Sequence, residues 1–293
     1  MSTIWTVTDC SSESQLRNFI ENKVASGDTI NFDCSGTITL TSPLRITRDL
    51  ILASLGKPVI LDGGNKVGVL SVQGVRLTLK GLTVINGNGK TESGGGLYNK
   101  GGTVTISHCT FSDNSAKHGG GLFTEGGEVT VSLSTFSGNS ALAWGGGLYN
   151  NFGKMTISHC TITNNTANIA GGLAGIGPFN MSATIVANNT ARYSKSQNGS
   201  GKMTSLGFNL ESSTDCDFTT MPIDQQNTDP TLDPTGLQNN GGPTHTIALQ
   251  SGSPAIGVIP AQRCPSHDQR GYLRPAGLSS CDIGAYQSSY THP

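Results

Sequence analysis

Asp113 and His118 flank one short turn of the chain, and a carboxylate and an imidazole so placed can pass a proton to and from a substrate held between them. The surrounding sequence recurs at a period of about 25 residues. Subtracting that period puts His118 in one column with Ser93, Trp144 and Ile169, and puts Tyr98, Phe123 and Tyr149 in another. Three rings one repeat apart offer flat apolar faces on which sugar rings stack. The expected catalytic pair is therefore Asp113 and His118, and the expected substrate-binding residues are Tyr98, Lys117, Phe123, Trp144 and Tyr149. The same column also reads as a ladder of rings that only stiffens the repeats.

Other reactive residue types fall into less productive patterns. Glu92 aligns with Lys117, Lys100 with Glu125 and Glu128 with Lys154, so each charge meets its opposite one repeat away and is expected to fix register. Asp113 aligns with Gly138 and Asn164 and has no cation in its column. His108 and His159 are two repeats apart with Leu133 between them, roughly 10 Å, too far for one metal ion. Cys109, Ser134 and Cys160 read as small inward residues. Calcium would need several converging carboxylates, and the repeats supply no such cluster, so no cofactor is expected.

The elements that carry these residues follow from the repeat itself. Gly94-Gly95-Gly96-Leu97-Tyr98-Asn99 recurs at Gly119, Gly145 and, degraded, at Ala170, with starts 25, 26 and 25 residues apart. After each block comes an alternating segment, as in Val104-Thr105-Ile106-Ser107 and Val129-Thr130-Val131-Ser132, with the pattern of a strand buried on one face. Each repeat then reaches an asparagine, Asn114, Asn139, Asn165 or Asn189, expected to stack as a hydrogen-bonded ladder. Short strands at constant period cannot bury their faces alone and must stack. The expected fold is an all-β, single-stranded right-handed parallel β-helix.

Composition agrees with a solenoid. Gly supplies 40 of 293 residues, while charged residues are only 13% and apolar ones 34%, as expected for many tight turns around a thin core. A net charge of −1 gives no electrostatic basis for binding nucleic acid, no apolar run is long enough to span a membrane, and a monomer is expected. Ser12 and Gln15 suggest a helix cap ahead of Leu16, Phe19, Ile20 and Val24, which share one helical face. The organisation expected is an N-terminal cap over 1–36 with that short helix, regular coils over 37–191, irregular coils and loops over 192–250, and a C-terminal capping segment over 251–293. Cys10 and Cys34 flank the first cap, and Cys264 and Cys281 flank Asp268-Gln269-Arg270-Gly271, so these pairs are expected to form disulfides. Cysteine usage points to export to the cell surface or beyond it; Met1 to Thr8 lack a secretion signal, so a cytoplasmic protein is the alternative.

The Gly-Gly-x-Leu block paired with Phe111-Ser112-Asp113-Asn114 and Phe136-Ser137-Gly138-Asn139 resembles the repeats of bacterial surface β-helix proteins, including the chlamydial polymorphic membrane proteins. Asn240-Gly241-Gly242-Pro243-Thr244, Ser253-Pro254-Ala255-Ile256, Asp268-Gln269-Arg270-Gly271, Arg274-Pro275 and Cys281-Asp282-Ile283-Gly284-Ala285-Tyr286 resemble the choice-of-anchor Q group of exported β-helix proteins. These resemblances imply fold and export, and no agreed activity. Arg270 and Arg274-Pro275 are similar to the Arg-Pro context of pectate lyases, although a salt bridge to Asp268 or Asp282 is the simpler expectation. Enzymes on this fold commonly act on extended polysaccharides. The expected function is interaction with a polysaccharide or cell-surface glycan along the aromatic face, with lyase, epimerase or glycoside hydrolase chemistry open. The alternatives are a non-catalytic adhesin or stalk and a β-helix enzyme acting on a small molecule.

Overall fold

A computed structural model describes residues 2–89, 94–218, 221 and 223–290 of the chain. In each coil a strand of alternating residues turns two apolar side chains inward, as with Val104 and Ile106, Val129 and Val131, and Met155 and Ile157, all at most 1% exposed. Val104 lies opposite Val129 and Val129 opposite Met155, so each coil covers the apolar edge of its neighbour in parallel register. The result is a parallel β-helix, the architecture that the repeat predicts.

Four parallel sheets run along the stack among the described residues. Within one coil, Thr103–Ser107 belongs to a nine-stranded sheet, Thr110–Ser112 to an eight-stranded sheet, Ser115–His118 to a five-stranded corner sheet and Leu97–Lys100 to a seven-stranded sheet. The seven-stranded sheet carries the aromatic column and is called the ladder sheet below. Phe111 and Phe136 stack inside the coils at 4.8 Å and 4°.

The corners explain the punctuation of the sequence. Asn139 is fully buried, its Oδ1 accepts from the side chain of Asn114, and its Nδ2 donates to Oδ1 of Asn165, each at 2.9 Å. Asn165 repeats the contact to Asn189 at 2.9 Å, which makes the expected ladder. At the glycine bend the chain passes so close to the next corner that a Cβ on Gly120 would lie 2.3 Å from the Ser140 carbonyl oxygen. Gly119 beside it has φ 58°, in the left-handed region.

Both ends differ from the sequence expectation. Ile4–Val7 and Asp28–Phe32 already pair in the nine-stranded sheet, so stacking begins ahead of residue 37 and the segment 1–36 is not only a cap. Leu16, Ile20 and Val24 are buried on the helical face, but the capping box is not formed: the N-cap is Glu13, with no side-chain cap bond, and Gln15 Oε1 instead accepts from the N–H groups of Thr8 and Asp9. At the other end, Gly199–Ser200, Met203–Ser205 and Leu210–Glu211 add one more rung to three sheets.

The segment after that rung does not simply close the open end. It returns along the flank of the coils as a strap over the eight-stranded sheet. Thr110 Oγ1 donates to the His245 carbonyl at 2.6 Å, Thr135 Oγ1 to Gln269 Oε1 at 2.7 Å, and Thr161 Oγ1 accepts from the Ala285 N–H at 3.2 Å. These three threonines face outward from successive strands yet are at most 2% exposed. Buried hydroxyls need partners, and the strap supplies them.

Disulfides join Cys10 to Cys34 and Cys264 to Cys281, while Cys109, Cys160 and Cys216 are free and buried. Arg270 is buried within the strap, 2.6 Å from Asp268 and 4.0 Å and 4.1 Å above the rings of Tyr286 and Tyr272. That places the Arg270 charge in a structural pair.

Candidate functional site

The ladder sheet aligns its outward positions as Arg45, Ser71, Tyr98, Phe123, Tyr149 and Ala174. Parallel register at ~4.8 Å per rung brings the rings into contact. Tyr98 and Phe123 stack with centroids 5.4 Å apart, and Phe123 and Tyr149 do so at 5.4 Å and 12°.

The corner sheet folds over part of this column. His118 stacks on Tyr149 at 5.4 Å, and Trp144 lies 6.3 Å from the same ring. Phe123 and Tyr149 are consequently 6% and 8% exposed, too little to present a face to a sugar. They form a small apolar cluster of their own with Ala170 and Ala174, packed against Tyr98 and Ile169. The structure thus brings together Tyr98, Phe123, Tyr149, His118 and Trp144, but of the tyrosine, phenylalanine and tryptophan rings only Trp144, 39% exposed, and the half-buried Tyr98 offer surface, as does the half-buried imidazole of His118.

Asp113 stands elsewhere. It occupies a corner position with φ 56° that it shares in register with Gly138, Asn164 and Asn188, at φ 71°, 58° and 57°. Left-handed corners favour Gly, Asn and Asp, so the acid has a backbone reason to be there. Asp113 lines a recess of about 230 Å³ between the eight-stranded sheet and the strap, together with Ile60, Ile85, Leu237 and Pro243. Neither His118 nor any ring of the ladder lines that recess, and no hydrogen bond joins Asp113 to His118 among the described residues. Burial lowers the His118 pKa, helped by Lys117, so the imidazole is held neutral. Its Nδ1 is buried without a partner.

Lys117 is exposed, and Glu92 and Ser93, its column partner and that of His118, lie outside the described residues. Lys154 and Glu128 approach to 3.8 Å as their register predicts. Glu125 is adjacent to Lys100 in register, but its carboxylate accepts a 2.6 Å hydrogen bond from the Tyr98 hydroxyl. His108 and His159 line separate recesses, and no group of three or more potential metal ligands is found among the described residues. Burial pushes the Cys109 and Cys160 thiols up to about 12, which suits inert core positions.

What remains open on the ladder sheet is a trough at its N-terminal end. A recess of about 460 Å³ is lined by Arg45, Gln73, Tyr98, Lys100, Phe123 and Glu125, and a second of about 210 Å³ continues past Arg45 and Tyr98 to Lys66 and Asn88. Arg45 and Gln73 were not singled out in the sequence, because the coils before Tyr98 are 26 and 27 residues long and no glycine triplet precedes Leu44–Ile46 or Leu70–Gln73. Tyr193, 81% exposed beyond the last full repeat, is a further ring on the corner side, where its N–H donates to the Asn168 carbonyl.

The fold and the trough define a parallel β-helix with a polar surface groove beside a closed aromatic ladder. Residues 108–125 and 134–151 match the repeat of the Chlamydia polymorphic membrane protein family. Each matched stretch runs from a left-handed corner through the asparagine rung and the glycine bend to a ladder-sheet strand, so the likeness lies in the residues that build the coil. No curated protein and no solved structure matches the chain.

Proposed function

We propose that the protein is an exported, surface-associated solenoid that binds a polysaccharide bearing acidic groups in the trough beside Tyr98. The supporting observation is the trough itself: one half-buried ring with Arg45, Lys66 and Lys100 around it and Gln73 and Ser71 as neutral hydrogen-bonding groups. Guanidinium and ammonium groups hold carboxylate or sulfate, and the Tyr98 ring takes a pyranose face. Among the described residues Glu125 is the one carboxylate lining either recess, and its bond to the Tyr98 hydroxyl fixes that ring in place.

The separation of Asp113 from His118 favours binding over a reaction using that pair. Two disulfides suit an oxidising compartment, and the repeat match suits the cell surface. Among the described residues no helix is long and apolar enough to cross a membrane. The coil-level repeat match also supports a second reading, an adhesin or stalk whose repetition is the function.

A glycan array of neutral and acidic polysaccharides, followed by calorimetry on any hit, separates the two. Binding of an acidic glycan that weakens about tenfold or more in Tyr98→Ala and in Arg45→Ala supports the trough. An array without hits, or affinities unchanged in both variants, rejects it in favour of the stalk.

A further inference from the structure

A second recess, of about 280 Å³, opens where the strap crosses the coils. Lys80 enters it from the nine-stranded sheet, His108 from the corner that follows the next rung, and His267 from the strap. The other charged residue lining it is Arg270, whose guanidinium is already bonded to Asp268 and to the carbonyls of Asn240 and Gln287. No carboxylate lines the recess among the described residues. Asp268 beside it is 0% exposed and committed to Arg270, and Lys57 nearby is committed to Asp33.

The Lys80 ammonium and His108 imidazole have no hydrogen bond or ion pair among the described residues, and Nδ1 of His108 is buried without a partner. A recess lined by a free ammonium and two imidazoles, with no carboxylate among the described residues, suits a ligand with acceptor oxygens. The strap is pinned immediately alongside: Gln269 Nε2 donates to Thr110 Oγ1 at 2.8 Å, to Thr244 Oγ1 at 3.0 Å and to the His245 carbonyl at 3.1 Å. A ligand held by Lys80 and His108 on one side and His267 on the other spans the junction.

We propose that Lys80, His108 and His267 form a binding site for an oxyanion, a sulfate, phosphate or carboxylate group, that clamps the strap to the coils. Desolvation, with the charges of Lys80 and His267 added, holds the His108 pKa down to about 4. The charge of a bound anion opposes the two coulombic effects, from Lys80 and His267, so its binding raises that pKa and its affinity rises as the pH falls from neutrality. The site lies between the nine-stranded sheet and the strap, whereas the trough lies on the ladder sheet, and the two share no lining residue.

The test titrates the whole chain with sodium sulfate at constant ionic strength, made up with chloride, and follows the His108 and His267 ring protons by NMR. A parallel arm uses a sulfated disaccharide. The expected result is saturable shifts at both histidines, with affinity about tenfold lower in Lys80→Met and in His267→Gln and unchanged in Lys195→Met. Saturation by free sulfate alone identifies a free oxyanion as the ligand, and tighter competitive binding by the disaccharide identifies a glycan; both support the site. Shifts that stay linear with sulfate, or that are the same in Lys80→Met as in the native chain, overturn it.

Discussion

Replacing Asn139 removes the middle of the asparagine ladder, and the structure fixes what is lost. The side chain makes four hydrogen bonds: Oδ1 accepts from the N–H and the side chain of Asn114 at 3.2 and 2.9 Å, and Nδ2 donates to the Phe111 carbonyl and Asn165 Oδ1 at 2.9 Å each. At about 1 kcal/mol net per bond, Asn139→Ala should cost about 4 kcal/mol, since no water reaches a fully buried residue to replace them. Asn164→Ala, beside Asn165 on the following rung, should cost only about 1 kcal/mol, because Asn164 is exposed and its loss adds mainly left-handed backbone strain. Asn139→Asp sharpens the argument. A carboxylate keeps the two accepted bonds and turns an oxygen toward the Phe111 carbonyl and Asn165 Oδ1, so the folded chain must hold this group protonated. Its folded pKa then exceeds the unfolded value of about 3.9, the folded state binds more protons, and stability falls by up to about 1.4 kcal/mol for each pH unit above that value. Urea melts at about pH 4 and about pH 7, with amide exchange at the neighbouring rungs, measure both effects. An Asn139→Ala cost below about 1 kcal/mol, or an Asn139→Asp variant whose stability difference from the native chain does not change with pH, refutes the ladder as a source of stability.

Three further outcomes are expected. Phe123→Ala should lower stability by about 3 kcal/mol or more, as removal of a buried ring does, whereas Trp144→Ala, at an exposed ring, should cost about 1 kcal/mol; thermal melts of the two variants compare them. Cys109, Cys160 and Cys216, held as thiols by burial, should not react with a thiol reagent at mildly alkaline pH in the folded chain and should all react once it is unfolded, as a colorimetric titration would count. Gln269→Leu removes two hydrogen bonds between strap and coils, to Thr110 and Thr135, about 2 kcal/mol of docking, along with its bonds to Thr244 and His245 within the strap, and should make residues 233–250 sensitive to protease while the coils stay intact; a strap as resistant as the native one counts against its attachment through Gln269.

The coil was legible because its two most constrained positions admit few residues. A bend in which a Cβ would meet the next corner at 2.3 Å takes glycine, and a rung that must donate and accept at once takes asparagine, so both recur in register. The site was less legible because residue type and column number do not report coverage. Tyr98, Phe123 and Tyr149 share one column, yet the corner strand shifts register between Ala116 and His118, and only over Phe123 and Tyr149 do His118 and Trp144 close. Asp113 reads as an unpaired acid in a column, but the column is a left-handed corner, and its neighbours Gly138 and Asn164 are the residues such a corner selects. Thr110, Thr135 and Thr161 look like the solvent face of ordinary strands, since their partners His245, Gln269 and Ala285 are more than 100 residues away and follow no period. Periodicity therefore carries the contacts between one coil and the next. The strap breaks that pattern along the flank, covering the eight-stranded sheet and leaving the N-terminal part of the ladder sheet open. The exposed groups that can meet a ligand accordingly gather at the trough, where the period lengthens, and at the strap crossing, where it is absent.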